Sequence, residues 1–230
     1  MRRRRRRRVA KSMVTDLRPP LLDSGEDLPA PPRQKRSLAT RQKILDAARD
    51  LFTEKGYHAT AIAEITARAG TAAGAFYIYF RSKRQLLVVL MTELLDRLHH
   101  LDLRPKGGSD IHAGLRNFLA AVFRADRRYY GVVRAWQEAA LADTGLAAMQ
   151  AGIEAWTQLR ILRVFQALQQ YPNARPDRDL ASFAKMMDRH FWSILARGAS
   201  MSPRNFNREV RIAADVIYHY LFRDKIEGRA

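Results

Sequence analysis

The stretch Thr60-Ala-Ile-Ala-Glu-Ile-Thr-Ala-Arg-Ala-Gly70, followed by Thr71-Ala-Ala-Gly-Ala-Phe-Tyr-Ile-Tyr-Phe-Arg-Ser-Lys83, permits very few folds. It reads as a short helix, a glycine turn, a second short helix and an abrupt entry into a third. Ile62 and Ile65 give the first helix its buried face, and Gly70 stops it. Two short helices around such a turn form a helix-turn-helix, whose second helix is built to lie in a DNA major groove.

The flanking sequence supports that unit with helices on both sides. From Leu38, the residues Ile44, Ala48, Leu51 and Phe52 fall at the i, i+4, i+7, i+8 spacing of a buried helical face. Gly56 suits the left-handed residue that ends this helix, and Thr60 is placed to cap the next. Ser82-Lys-Arg-Gln85 is a capping box that opens a long helix through Leu86, Leu87, Leu90, Leu94 and Leu98.

Beyond residues 104–108 the pattern stays helical. Asp110 starts a helix carrying Leu115, Leu119 and Val122, and Asp126 starts another through Val132, Val133 and Trp136. A long segment follows from about Gly145 to Gln170 and is broken at Tyr171-Pro-Asn-Ala-Arg-Pro176. The last two helices span about Asp179–Ala199 and Pro203–Arg223, the second opened by Ser202 with proline at the first helical position. No alternating strand pattern and no internal repeat occurs, so the fold class is all-α. Three parts are expected: an arm over 1–36, a helix-turn-helix domain over 37–84, and a larger helical effector-binding and dimerisation domain over 85–226.

Charge points to a polyanion partner. The net charge is +18, and residues 1–40 alone carry 12 Lys+Arg against 4 Asp+Glu. Arg2–Arg8 form an unbroken run, and Pro19, Pro20, Pro29, Pro31 and Pro32 forbid regular structure, so residues 1–36 read as disordered. Such an arm either tracks DNA phosphates beside the main contact or is a charged tail without a dedicated role. The 230 residues include no cysteine, which excludes disulfides, thiolate metal sites and cysteine nucleophiles. No run approaches the roughly 18 apolar residues of a membrane span. A cytoplasmic, nucleoid-associated protein without a membrane partner is expected.

Gly56-Tyr57, Ala59-Thr60, Ile62, Glu64-Ile65, Ala69-Gly70, Gly74, Phe76-Tyr77, Tyr79-Phe80, Ser82-Lys83 and Leu86 resemble the N-terminal pattern of the TetR family of bacterial transcriptional regulators. The resemblance covers about residues 41–90; the remainder is similar only in being helical and of suitable size. It implies a homodimer joined through about residues 179–223. Its two recognition helices would enter successive major grooves of a palindromic operator, with half-sites ~34–36 Å apart. It implies further that a small-molecule effector, binding one head spacing better than the other, releases the DNA.

By position, the resemblance assigns DNA contact to Thr60, Thr71, Ala72, Ala73, Ala75, Tyr77, Tyr79 and Lys83. Lys83 and Thr60 would hold phosphates, Thr60 through its hydroxyl and a helix N-terminus. Phe76 and Phe80 read as core aromatics. Ala61, Ala72-Ala73 and Ala75 depart from the threonine, serine and lysine common in the family. The recognition helix is therefore poor in donors, and an AT-containing half-site with modest discrimination and steep salt dependence is expected.

For the effector, Phe118, Phe123, Trp136, Trp156, Phe165 and Trp192 are the candidate pocket residues, with Tyr129, Tyr130, Phe183 and Phe191 as further aromatics. Arg134, Arg160, Arg163, Arg189 and Arg197 are candidates for holding an acid group, so the effector is apolar or acidic-apolar. No cofactor and no metal are expected: His99-His100 face different ways, and His112, His190 and His219 are isolated in sequence. Ser193, His190 and Asp188 supply nucleophile chemistry by name, but neither a strand-turn-helix elbow nor a glycine-rich loop accompanies them, so no catalytic residue is assigned. The competing reading is a basic protein that coats DNA or a membrane surface without sequence preference.

Overall fold

The computed structural model describes residues 17–25, 34–101, 110–125 and 127–223, and among these the regular structure is helical. In chain order the helices are α1 Lys35–Lys55, α2 Ile62–Arg68, α3 Ala75–Tyr79, α4 Lys83–His100, α5 Ile111–Ala125, α6 Tyr130–Ala140, α7 Thr144–Leu168, α8 Leu180–Gly198 and α9 Pro203–Leu221. A 3-10 turn, Arg127–Tyr129, leads into α6. Asp126 and residues 102–109 lie outside the described residues.

Local chemistry sets most of the boundaries. Gly56 ends α1 at φ 82°, and Gly70 follows α2 at φ 65°, both in the region that favours glycine. Ser82 accepts the Gln85 N–H at 3.0 Å to start α4, while the Gln85 side chain accepts from the Arg81 N–H at 2.8 Å. Asp143 and Asp179 cap α7 and α8 through their carboxylates, and Ser202 caps α9 with Pro203 in its first turn. An isolated antiparallel bridge between Ala174 and Phe222 pins the α7–α8 connection to the end of α9.

Two apolar clusters organise the packing. The first joins α1, α2 and α3 to α4, α6 and the first half of α7, with Ile44, Phe52, Ile65, Phe76, Phe80 and Leu86 fully buried. The second gathers α5, the end of α7, α8 and α9 around Phe165, Met187, Ile194 and Ile217. The head thus shares a buried cluster with α4, α6 and the first half of α7.

Helix α6 lies between α1 and α8. Gly131 lets it approach α1 to backbone contact, since a Cβ there would sit 2.5 Å from the Thr53 Cα.

The expected disorder of 1–36 is corrected over part of its length. Residues 17–25 lie against the body, with Leu17 and Leu22 packed on the first cluster and Ser24 buried. Leucine side chains and backbone carbonyls that find partners outweigh the proline content there. Residues 1–16 and 26–33, the arginine run among them, lie outside the described residues.

Candidate functional site

The exposed end of the molecule is built by α2 and α3. Phe76 and Phe80 are fully buried with ring centroids 5.6 Å apart, which fixes the short α3 on the head core. That anchoring turns the intervening side chains outward: Tyr77 is 62% and Ile78 67% exposed, and Ala72 and Ala73 are exposed beside them. Thr71 and Ala75 are half-buried, and the Thr71 hydroxyl donates to the Thr66 carbonyl at 3.3 Å. Tyr79 is half-buried against the core. Ile78 was not among the expected contacts. Its signal in the sequence is an isoleucine between two tyrosines on a five-residue helix, where burial of both 76 and 80 leaves 78 outside.

Two expected phosphate contacts, Thr60 and Lys83, hydrogen-bond to the protein's own carbonyls. Thr60 is 1% exposed, and its hydroxyl donates to the Gly56 carbonyl at 2.7 Å. The cap of α2 is Ala61, whose N–H is taken by the Glu64 carboxylate at 2.8 Å. Thr60 thus braces the α1–α2 turn from inside. The ammonium of Lys83 donates to the carbonyls of Tyr57 at 2.8 Å and Thr60 at 2.7 Å, and sits 4.4 Å from the Tyr57 ring centroid. Burial there lowers the Lys83 pKa from the usual lysine value. Lys83 accordingly ties the start of α4 to the turn before α2. Ion pairs Lys55–Glu64 and Arg68–Glu54 add charged links from α2 to α1.

Behind the head, an apolar cavity of about 80 Å³ lies among α4, α5, α6 and α8, lined by Leu94, Leu98, Leu119, Val122, Phe123, Tyr129, Tyr130, Val133, Phe191 and Leu195. A smaller one of about 20 Å³ lies between α5 and the end of α7 and includes Phe118. Of the six expected pocket residues, Phe123 lines the first and Phe118 the second. Trp136, Trp156, Phe165 and Trp192 line neither of these two and pack in the two cores. Helical spacing places core and cavity aromatics alike. Tyr129, Tyr130 and Phe191 of the wider aromatic set do line the larger cavity. The tyrosine hydroxyls are turned to protein partners, Tyr129 to Glu93 at 3.1 Å and Tyr130 to the Phe123 carbonyl.

None of the five candidate arginines lines either cavity. Arg134 donates to the Phe52 carbonyl at 3.1 Å, Arg160 to the Leu98 carbonyl at 2.7 Å, and Arg197 pairs with Glu209 at 2.9 Å. Arg160 is buried, and that burial lowers its pKa to about 10. Asp188, Ser193 and His190 do not assemble as a catalytic set: Asp188 accepts from Gln158, and the Ser193 hydroxyl accepts from Arg197.

Residues 44–90 match the family described as bacterial regulatory proteins, tetR family. The uncharacterized HTH-type transcriptional regulator YvdT of Bacillus subtilis (strain 168) is 32% identical over 100 residues, which are 43% of this chain and 52% of YvdT. The chain spans about half the length of the curated relatives it matches, or less. Salmonella enterica GusR is similar in fold, with a TM-score of 0.60 and 22% identity over 81% of this chain and 98% of its own. SmeT, described as the repressor of the Stenotrophomonas maltophilia multidrug efflux pump SmeDEF, is 26% identical with a TM-score of 0.55, over 83% of this chain and 94% of SmeT. Residues 44–90 thus carry the head of the tetR family of bacterial regulatory proteins, and the helices behind it have the fold of solved regulators.

Proposed function

We propose that the protein is a transcriptional repressor that binds a palindromic DNA operator as a homodimer and is released by a small apolar molecule. The observation that carries this reading is the pair Tyr77 and Ile78, exposed on a helix whose flanking phenylalanines are fully buried. An apolar and aromatic surface on a rigid helix suits thymine methyls and groove shape rather than bidentate reading of guanine. Ala72 and Ala73 extend the same face.

The second copy would pack on α8 and α9, where Met186, Ile212 and Val216 are exposed apolar side chains. The effector would enter the cavity among α4, α5, α6 and α8. Its lining favours an apolar ligand over an acidic one, because the candidate arginines are committed elsewhere or lie off the cavity. At about 80 Å³ the cavity is smaller than the ~300–1,000 Å³ of ordinary ligand sites, so binding would require these helices to part. That requirement supplies the differential affinity that release needs.

The test is selection of bound fragments from the source genome with the full chain and with Tyr77→Ala, at physiological salt. A shared palindrome enriched by the wild type, and lost or weakened at least about tenfold in Tyr77→Ala, is the expected result. Enrichment of no site by the wild type would favour a coating protein that holds DNA by charge alone.

A further inference from the structure

The segment Leu17-Arg-Pro-Pro-Leu-Leu-Asp-Ser-Gly25 contacts α4 and α7, with Leu17 and Leu22 packed on the first apolar cluster. The Leu17 carbonyl accepts the indole Nε1–H of Trp156, on α7, at 3.0 Å, and lies 2.9 Å from Nδ1 of His99, on α4. Pro20 passes over Gly152 of α7, where an added methyl would reach its Cβ at 3.8 Å. At the other end the carbonyl of buried Ser24 accepts from Arg84, whose Nε holds Asp143 at 2.6 Å.

The segment therefore runs antiparallel to α4, from its last turn to its first. The lengths agree. Seven extended steps from Leu17 to Ser24 cover ~23 Å at about 3.3 Å each, and the fifteen helical steps from Arg84 to His99 cover ~22 Å at about 1.5 Å each. Pro19 and Pro20 fix their own φ and bias the residues before them toward extended backbone, so little freedom is lost on docking. An aromatic indole donor with apolar slots for flanking side chains is how proline-containing segments are held elsewhere.

We propose that the surface formed by His99 and Arg84 of α4 with Gly152 and Trp156 of α7 is a peptide site for an extended Leu-x-Pro-Pro-x-Leu segment, filled in cis by residues 17–25, and that its filling holds α4 in place. The consequence for DNA binding, that the strap restrains the helix carrying the head, rests on the regulator reading above; the peptide site does not.

The test is hydrogen exchange on the full chain without DNA. Leu17→Asp with Leu22→Asp should speed exchange in α4 by at least about fivefold while leaving α9 unchanged. A synthetic peptide of residues 17–25 added in trans should restore slow exchange. Trp156→Phe, which removes the indole donor and keeps an aromatic ring, should weaken that rescue. Leu21→Asp, at a fully exposed side chain, should change nothing. Unchanged α4 exchange in the double variant, equal acceleration in α9, or failure of the peptide to rescue would each overturn the proposal. Loss of operator selectivity in the wild type would count against the regulator reading alone, since the exchange readout uses no DNA.

Discussion

The carboxylate of Glu138 accepts the backbone N–H of Tyr57 at 2.7 Å, while the carbonyl of the same Tyr57 accepts from Lys83 at 2.8 Å. One residue of the α1–α2 turn is thereby held from α6 on one side and α4 on the other. Arg134, one turn before Glu138, reaches the Phe52 carbonyl near the end of α1. Helix α6 also walls the larger cavity with Tyr130 and Val133. The cavity and the turn that orients α2 thus share a single rigid element.

Glu138→Ala should leave the Tyr57 amide without its acceptor and cost ~1–3 kcal/mol of stability, the penalty of an unmade hydrogen bond at a half-buried donor. Glu138→Gln keeps an oxygen for that amide and should cost less. Denaturant unfolding of the two variants checks the order. Equal stability of Glu138→Ala and the wild type would mean that water replaces the carboxylate without loss.

Alanine should destabilise the protein at Gly131 but not at Gly74. At Gly131 the new Cβ would lie 2.1 Å from the Thr53 Oγ1 and 2.5 Å from the Thr53 Cα and N, so α1 and α6 must separate, at a cost of ~1–3 kcal/mol or more. Gly74 has an ordinary helical φ of -67° and meets nothing within 4 Å. Alanine there should be neutral or stabilise by ~0.4–1 kcal/mol through the unfolded chain. Thermal melts of both variants decide it, and similar Tm values would contradict the close approach at Gly131.

What the sequence made legible was local. The caps at Ser82 and Ser202, the glycine stops at 56 and 70, and the buried faces of α1 and α4 follow from periodicity and neighbours a few residues away. The partners of Thr60 and Lys83 were not legible, because a residue type at a spacing does not reveal which carbonyl it will meet after folding. Lys83 finds its acceptors 26 and 23 residues earlier. Leu17 is bound by side chains 82 and 139 residues later, beyond any windowed pattern. The tryptophans chosen for the pocket share their spacing with cavity residues, and only tertiary packing separates the two.

Lys83→Met separates two roles for the ammonium. If it chiefly clamps the Tyr57 and Thr60 carbonyls, its loss should lower stability by ~1.5–3 kcal/mol, the range for hydrogen bonds to charged groups, and weaken DNA binding as the turn loosens. Unfolding and DNA titration should therefore fail together. Unchanged stability with lost DNA affinity would instead return Lys83 to the role of a phosphate contact.

Asp188 makes the protein's stability depend on pH in a direction that can be stated. It is 1% exposed between α7 and α8. Burial raises its pKa above the usual carboxylate value, partly offset by hydrogen bonds from Thr157, Gln158 and Trp192, while Glu154 raises it further. A carboxyl whose folded pKa exceeds its unfolded one binds protons more tightly when folded. Its unfavourable contribution is absent below the unfolded value of about 3.9, grows as pH rises toward the folded pKa, and is constant above it. Asp188→Asn removes that titration. The Tm of the variant minus that of the wild type should therefore increase between pH 3.5 and pH 7.5, whatever constant offset the amide brings. A difference that is flat or falls with pH would show that the hydrogen bonds outweigh burial and that the carboxylate is held charged.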